Sequence, residues 1–419
     1  MTLQEGEILE ILTSPRNPNI KQWKKDHEVW SIYVNGGDVA SELEKIQNYE
    51  NDGQKRLREK VARSTKDVVS NLLNPISKVF NASGGSVNLE DLATTEETKL
   101  NELIDELPEG MSLRVWMETY WKDAFVSDPN GVVLVEVDEE GRAYPTYKNI
   151  ANIHDYTLTW NTFDYLVLKD RKVDIDGAKD VQVYRVIDDS FDALYYVKND
   201  KLYEFETDEE AHAVENTIGE VPAVVCGGIV DKETGGKKPF IHIIDEALKE
   251  YLRSSSVHTI YKFLHLFPKF WSYAMKCTTC QGTGQVDNTD KTGKVVCPTC
   301  NGSRLKKATD VSDGIYLPLP KGDQPVLGGN IAGYIDTPEK VWIQQNEDLE
   351  DMLRNMEKTI WGSYLDQRDS TNDKTATEAV LNVQAINENL CAISRCAESK
   401  ETQILNYMTR IVSGLEDVN

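Results

Sequence analysis

The chain has 419 residues, 40% of them hydrophobic and 28% charged, with a formal net charge of −24. That length predicts two or three domains rather than one core. The acidity argues against nucleic-acid binding through a broad basic face, because phosphate affinity comes from Lys and Arg. A protein that touches DNA without holding it stays possible. No stretch reaches the roughly 20 apolar residues of a membrane helix. The opening MTLQEGEILEIL lacks the basic segment and apolar core of a signal peptide.

In chain order, residues 1 to 110 read as charged helices, with a break expected at Asn74-Pro75. SLRVWMETYWKDAFVSDPNG is helical up to a turn at Asp128-Pro129-Asn130-Gly131. From Val132 to Val225 the hydrophobic period changes to two. Short β-rich runs (VVLVEV, FDYLVLK, VQVYRVI, ALYYVK, KLYEFE) predict a mixed or antiparallel sheet, with Asn199-Asp200 as a hairpin turn. Cys226 sits in an apolar strand and is expected to be a buried thiol.

A long helical hairpin follows. Its inbound arm, about 240–270, carries Ile244, Leu248, Tyr251, Leu252, Ile260, Phe263 and Leu264 at helical spacing. Its outbound arm, about 339–362, carries Trp342, Leu349, Leu353, Met356 and Ile360, with Glu347, Asp348, Glu350 and Asp351 over the rest of its surface. His258 and His265 are one heptad apart and are expected to line the hairpin. After the polar stretch Ser363–Lys374, a last helix shows a stripe of Val380, Val383, Ile386, Leu390, Ile393, Leu405, Met408 and Ile411, with Cys391 and Cys396 read as packing thiols. No internal repeat is visible. The fold class expected is α+β.

Between the hairpin arms, Cys277, Cys280, Cys297 and Cys300 form C-x₂-C-x₁₆-C-x₂-C. Each C-x₂-C turn presents two thiolates on one side, and two such turns complete a tetrahedron around Zn²⁺. Four thiolates close the coordination shell, which makes the site structural rather than catalytic. Four clustered and three scattered cysteines are not a disulfide framework and fit a reducing cytoplasm. The run C-x-x-C-x-G-x-G resembles one unit of the cysteine-rich region of DnaJ-type chaperones over about 27 residues. The second pair continues N-G-S instead, and no His-Pro-Asp signature is present. There is no GxxxxGK[ST], no GxGxxG after a strand and no HExxH, so no enzyme is expected.

The order of parts resembles a portal protein of the tailed bacteriophages. The resemblance is carried by LRVWMETYWKDAFVSDPNGVVLVEV, GEVPAVVCGGIV, IIDEALKEYLRSSSVHTIYKFLHLFPKFW, DGIYLPLPKGDQPVLGGNIAGYIDTPE and KTATEAVLNVQAINENL. Asp245 and Tyr251 stand one residue closer than the family's corresponding pair, and Ser254–Ser256 replace its polar step. A zinc site is not a general feature of the family. The resemblance divides the chain into a helical N-terminal wing region (1–110), an α/β wing domain (111–235), a first stem helix (236–275), a clip domain with the zinc site (276–338), a second stem helix (339–362), a tunnel loop (363–374) and a long wing helix (375–419) towards a short or missing crown.

What the resemblance implies is a ring, usually a dodecamer, at one capsid vertex of the virion, assembled in the host cytoplasm. Its partners would be other copies of itself, the major capsid protein, the terminase large subunit and the head–tail connector. Double-stranded DNA would pass transiently through the channel during packaging and ejection, and no membrane is involved. Arg368, Asp369, Ser370, Thr371, Asn372 and Lys374 would form the DNA-channel loop. The alternative is a cytoplasmic zinc-ribbon adaptor or chaperone-like interaction module.

Overall fold

The structure, a computed structural model, describes residues 2–46, 52–81, 94–175, 178–207, 211–230, 236–265, 269–273, 276–288, 293–305, 315–317, 332–335, 339–363 and 376–413. They form two compact units. One comprises Met1–Glu42, Ser64–Leu248 and Arg354–Asn419, and the other Leu43–Arg63 and Lys249–Leu353. The architecture is α+β with a long C-terminal helix, as the periodicity predicts.

The N-terminal region folds as α1 (Glu5–Thr13), α2 (Ile20–Asn35), α3 (Val39–Ile46), α4 (Asp52–Val61), α5 (Lys66–Leu73), α6 (Ser77–Asn81) and α7 (Thr94–Asp105). The expected break at Asn74-Pro75 is a single 3₁₀ turn, Asn74–Ile76, between α5 and α6. Next come α8 (Leu113–Trp116) and α9 (Lys122–Ser127), joined by a π turn over Met117–Trp121. That turn lets Trp116, Met117 and Trp121 all be buried, and the Trp121 indole N–H donates to the carbonyl of Cys226 at 2.9 Å.

The turn after α9 is the predicted one. The Asp128 carboxylate, 1% exposed, accepts from the Tyr147 hydroxyl at 2.6 Å and the Ile150 amide at 2.9 Å. It launches β1 (Val132–Val137) as the middle strand of an antiparallel sheet with β2 (Ala143–Lys148) on one side. A sheet of five sequential strands follows: β3 (Ile153–Thr159), β4 (Thr162–Ile175), β5 (Ala178–Ile187), β6 (Phe191–Lys198) and β7 (Lys201–Glu204). A sixth strand, β8 (Ala213–Glu215), pairs with β6. The three-stranded sheet is completed by β9 (Ala223–Val225), on the other side of β1.

β4 shows why the strand period matters. Tyr165 and Val167 pack with Leu3, Ile8, Ile11 and Leu12 at α1, whereas Leu166 and Leu168 pack with Val132, Leu134 and Ala223. Successive side chains of one strand therefore bury in two different cores. Asn199 and Asp200, at φ of 51° and 57°, form the predicted hairpin turn, with both central residues left-handed as a type I′ turn requires.

The β3–β4 turn is less comfortable. Trp160 lies in the left-handed region at φ 63° with 96% of its surface exposed. A side chain there costs roughly 1–2 kcal/mol, against the 0.5–1 kcal/mol of extra chain entropy that glycine would lose. Trp160→Gly should therefore raise the stability of this unit by about 1 kcal/mol or less. A lowered unfolding midpoint in calorimetry would show that the indole holds the turn together.

β10 (Ile229–Val230) and β11 (Lys237–Lys238) form a short hairpin before the inbound helix. That helix, α10 (Asp245–His265), is entered through a 3₁₀ turn at Phe240–Ile244. It stops earlier than its periodicity predicts, and Lys269–Tyr273 is a strand, β12. Pro268 explains the difference, since it cannot extend a helix and disfavours helical backbone at the residue before it. The inward face of α10 is Leu248, Leu252, Ser256, Thr259 and Ile260, so two hydroxyls share it with the aliphatics.

In the second unit, β13 (Gln285–Asp287) and β14 (Lys294–Val296) form a hairpin. β12 pairs in parallel with β15 (Ile315–Leu317) and antiparallel with β16 (Ala332–Ile335). A parallel pair needs a crossover connection, and here the four-cysteine segment lies in it. Trp271 lies across Gly333, its cross-strand partner, where a Cβ would come within 2.7 Å of the indole nitrogen.

The outbound helix, α11 (Glu339–Trp361), meets α10 where the His258 and Trp342 rings sit 5.9 Å apart. His258 thus lines the hairpin as expected, while the side chain of His265 lies outside the described residues. In the first unit α11 ends on Met356, Ile360 and a fully buried Trp361, whose indole N–H donates to the Leu72 carbonyl at 2.8 Å. α12 (Ala376–Ser413) buries Ile393, Ala397, Ile404, Leu405 and Met408.

Of the first half of the predicted α12 stripe, Ile386 and Leu390 are half-buried, Val383 is 51% exposed, and the side chain of Val380 lies outside the described residues. Cys226 is buried and Cys396 half-buried, but Cys391 is exposed. Cys391 precedes the buried Ile393 by two residues, and residues so spaced do not share a helix face.

Candidate metal centre

The insert between β12 and β15 brings together the four cysteines that the spacing selects. The Sγ atoms of Cys277 and Cys297 are 3.9 Å apart, those of Cys280 and Cys300 are 3.7 Å apart, and all four lie within 4.8 Å of one another. A metal ion bound by four thiolates at about 2.3 Å requires tetrahedron edges of about 3.8 Å. A disulfide would need sulfurs only about 2.05 Å apart. The spacing fits a metal and not a disulfide. All four side chains are buried, and among the described residues the half-buried Val286 is the apolar side chain packed with them.

The local fold is a repeat. Each C-x₂-C turn continues through a left-handed pair, Gln281-Gly282 (φ 50° and 86°) in the first and Asn301-Gly302 (φ 45° and 79°) in the second. Thr283 donates its hydroxyl to the Cys280 carbonyl at 2.7 Å, and Ser303 repeats this on Cys300 at 2.7 Å. The amide of Cys297 donates to the Gly284 carbonyl at 2.9 Å, and that of Cys277 to the Arg304 carbonyl at 3.1 Å. The Thr299 hydroxyl donates to that of Thr279 at 2.9 Å across the middle. Each of these residues has its equivalent 20 positions away in the other half, so the two halves are related by a local two-fold.

The repeat is hidden in the sequence because the second half breaks the glycine pattern at one point. Arg304, at φ 63°, takes the left-handed place that Gly284 holds at φ 81°. The constant offset of 20 from Cys277-x-x-Cys280-Gln281-Gly282-Thr283 to Cys297-x-x-Cys300-Asn301-Gly302-Ser303 was the available signal.

The electrostatics of the thiols differ. Burial opposes ionisation of Cys280, yet the amides of Gly284, at 3.3 Å from its sulfur, and Gly282 bring its pKa down to about 6. Burial also opposes ionisation of Cys297, whose thiol is nevertheless lowered by the amides of Cys300 and Thr299. Cys300 is raised by burial and by its thiol neighbours. Backbone N–H groups aimed at sulfur favour the thiolate, the form that binds metal.

The other sequence-selected site, Arg368, Asp369, Ser370, Thr371, Asn372 and Lys374, lies outside the described residues. No helix among the described residues is long and apolar enough to cross a membrane. In comparisons with known proteins, no family model matches the chain and no curated protein matches it.

Proposed function

We propose that the chain is a portal protein of the tailed-phage type, forming a ring at one capsid vertex through which DNA is packaged and later ejected. The order of sequence parts set out above is the ground for the family. The observation that carries the ring is the apolar surface of the helical hairpin and its sheet. Val257 on α10 is 40% exposed, Val341 and Ile343 on α11 are 46% and 41% exposed, and Tyr334 and Ile335 on β16 are 70% and 49% exposed. Apolar surface of this kind marks association, and a heterologous contact that closes on itself makes a ring.

The proposal continues to the metal. The ion is Zn²⁺, which takes tetrahedral thiolate sets and has no redox chemistry, and Cys277, Cys280, Cys297 and Cys300 hold it as a structural staple. The insert is the clip that meets the terminase during packaging and the connector afterwards, and residues 363–374 are the loop assigned to DNA contact. The acidity of the chain supports a channel wall that gives DNA few places to stick.

Light scattering on the purified protein tests the reading. A particle of several hundred kilodaltons is expected from a 47.4 kDa chain. A monodisperse monomer at micromolar concentration and physiological salt would instead select the zinc-ribbon adaptor.

A further inference from the structure

We propose that the outer face of the four-cysteine module is a contact between copies of this chain, its cations and aliphatic side chains meeting the acidic helix α11 of a neighbouring copy. The proposal rests on the ring reading and names the surface that would join one subunit to the next.

The module is a basic island. Residues 276–307 hold six Lys/Arg and two Asp/Glu, so that even with the −2 of a Zn²⁺ held by four thiolates the module is a formal +2, in a chain whose net charge is −24. Lys276, Lys294 and Arg304 are exposed, and none of them forms an ion pair among the described residues. Two of these cations are held in place by the metal turns. The stem of Lys276 lies over Gly282, where a Cβ would come within 3.1 Å of it, and the Arg304 stem lies over Gly284 at the same 3.1 Å. Prepositioned side chains lose less entropy on binding.

Aliphatic surface lies beside the cations. Val295 is 41%, Val296 61% and Leu305 38% exposed, and Leu305 bridges to Lys276. This combination disfavours nucleic acid as the occupant. Phosphates would leave the valines and leucine unused, and no aromatic residue stands between Tyr273 and Tyr316 to stack a base.

The complementary surface is on the same chain. Glu347, Asp348, Glu350 and Asp351 are exposed on α11 and form no ion pair among the described residues. Among the described residues, Asp348 and Glu350 accept from the neutral amides of Gln344 and Asn346, each at 3.0 Å. The exposed Val341 and Ile343 lie on the same helix. The acidic run begins eight residues after Glu339, about 12 Å along the helix. A module-to-α11 contact uses two different patches, so it is heterologous and repeats around a closed ring.

Charge reversal in the full-length protein tests this. Lys276→Glu with Lys294→Glu and Arg304→Glu reverses the module, and Glu347→Lys with Asp348→Lys, Glu350→Lys and Asp351→Lys reverses the helix. Particle mass is read by sedimentation velocity at low and high salt, with metal content checked for each variant. Either set alone should raise the concentration at which rings dissociate by about tenfold or more, and both sets together should restore assembly. Salt should mimic the single-set loss in the wild type. Metal-loaded variants that assemble like the wild type, or a combined variant that fails to recover, would overturn the contact and leave the ring reading standing. A monomeric wild type would remove both. A double-stranded oligonucleotide bound by the wild type and lost on module reversal, with ring mass unchanged, would make the module a DNA contact instead.

Discussion

Removing the metal, or replacing Cys277 with Ser, should unfold the four-cysteine module while both sheets of the first unit keep their structure. The module has almost no core of its own. Its buried side chains are the four cysteines with Val286 beside them, and Val295, Val296 and Leu305 point into solvent. Its secondary structure is a hairpin of two three-residue strands, β13 and β14, and an isolated two-stranded hairpin is marginal in water. Metal binding to such sites supplies about 10–16 kcal/mol at neutral pH, nearly all of it expressed as folding. Elemental analysis should give about one zinc per chain. Hydrogen exchange then reads the structural effect. The amides of Cys277 and Cys297, bonded to Arg304 and Gly284, should lose protection on chelation, and those of β1 should keep theirs. Equal protection with and without metal, or four thiols that titrate freely in the native protein, would show that the module folds without an ion.

The cysteine site was legible because metal ligands are specified locally. Two C-x₂-C turns 16 residues apart carry their chemistry in residue type and spacing alone. The local two-fold was missed for an equally local reason, since a reader matching glycines is stopped by Arg304. Periodicity identified α10 but overran its end, because Phe267 and Trp271 continue an apolar pattern past Pro268. The sheet of β12, β15 and β16 was legible only as a β-like stretch. Its partners come from segments more than 40 residues apart in sequence, Trp271 opposite Ile315 and Gly333, and pairing at that distance leaves no periodic trace. The charged network that joins the two large sheets was also invisible. With 70 acidic residues in the chain, nothing in the pattern distinguishes Glu136 from the rest.

That network carries the second large effect: Glu136→Gln should destabilise the first unit by about 3 kcal/mol at neutral pH. Glu136 on β1 is reached from three sides. Lys148 on β2 donates to it at 2.9 Å, Thr146 donates its hydroxyl, and Arg185 on β5 makes a direct hydrogen bond. Arg185 also forks onto Asp192 of β6 at 2.9 and 2.7 Å. The carboxylate thereby ties the three-stranded sheet to the six-stranded one. Burial works against its ionisation, but Arg185 and Lys148 outweigh burial and hold its pKa at about 2. Because the folded value lies below the ordinary 4.5, the contribution is fully present above pH 4.5 and is lost as pH falls towards 2. A depression of this size corresponds to about 3 kcal/mol. The side chain of Glu136 is only 13% exposed, so solvent screens little of it. Exposed pairs, by contrast, contribute at most about 1 kcal/mol. Urea unfolding of wild type and Glu136→Gln should show the full gap at pH 7 and a gap below about 1 kcal/mol near pH 2. If the gap is the same at both pH values, lost packing rather than charge is responsible. If there is no gap at pH 7, desolvation of Glu136 and Arg185 cancels their attraction, and the sheets are held together by the apolar core alone.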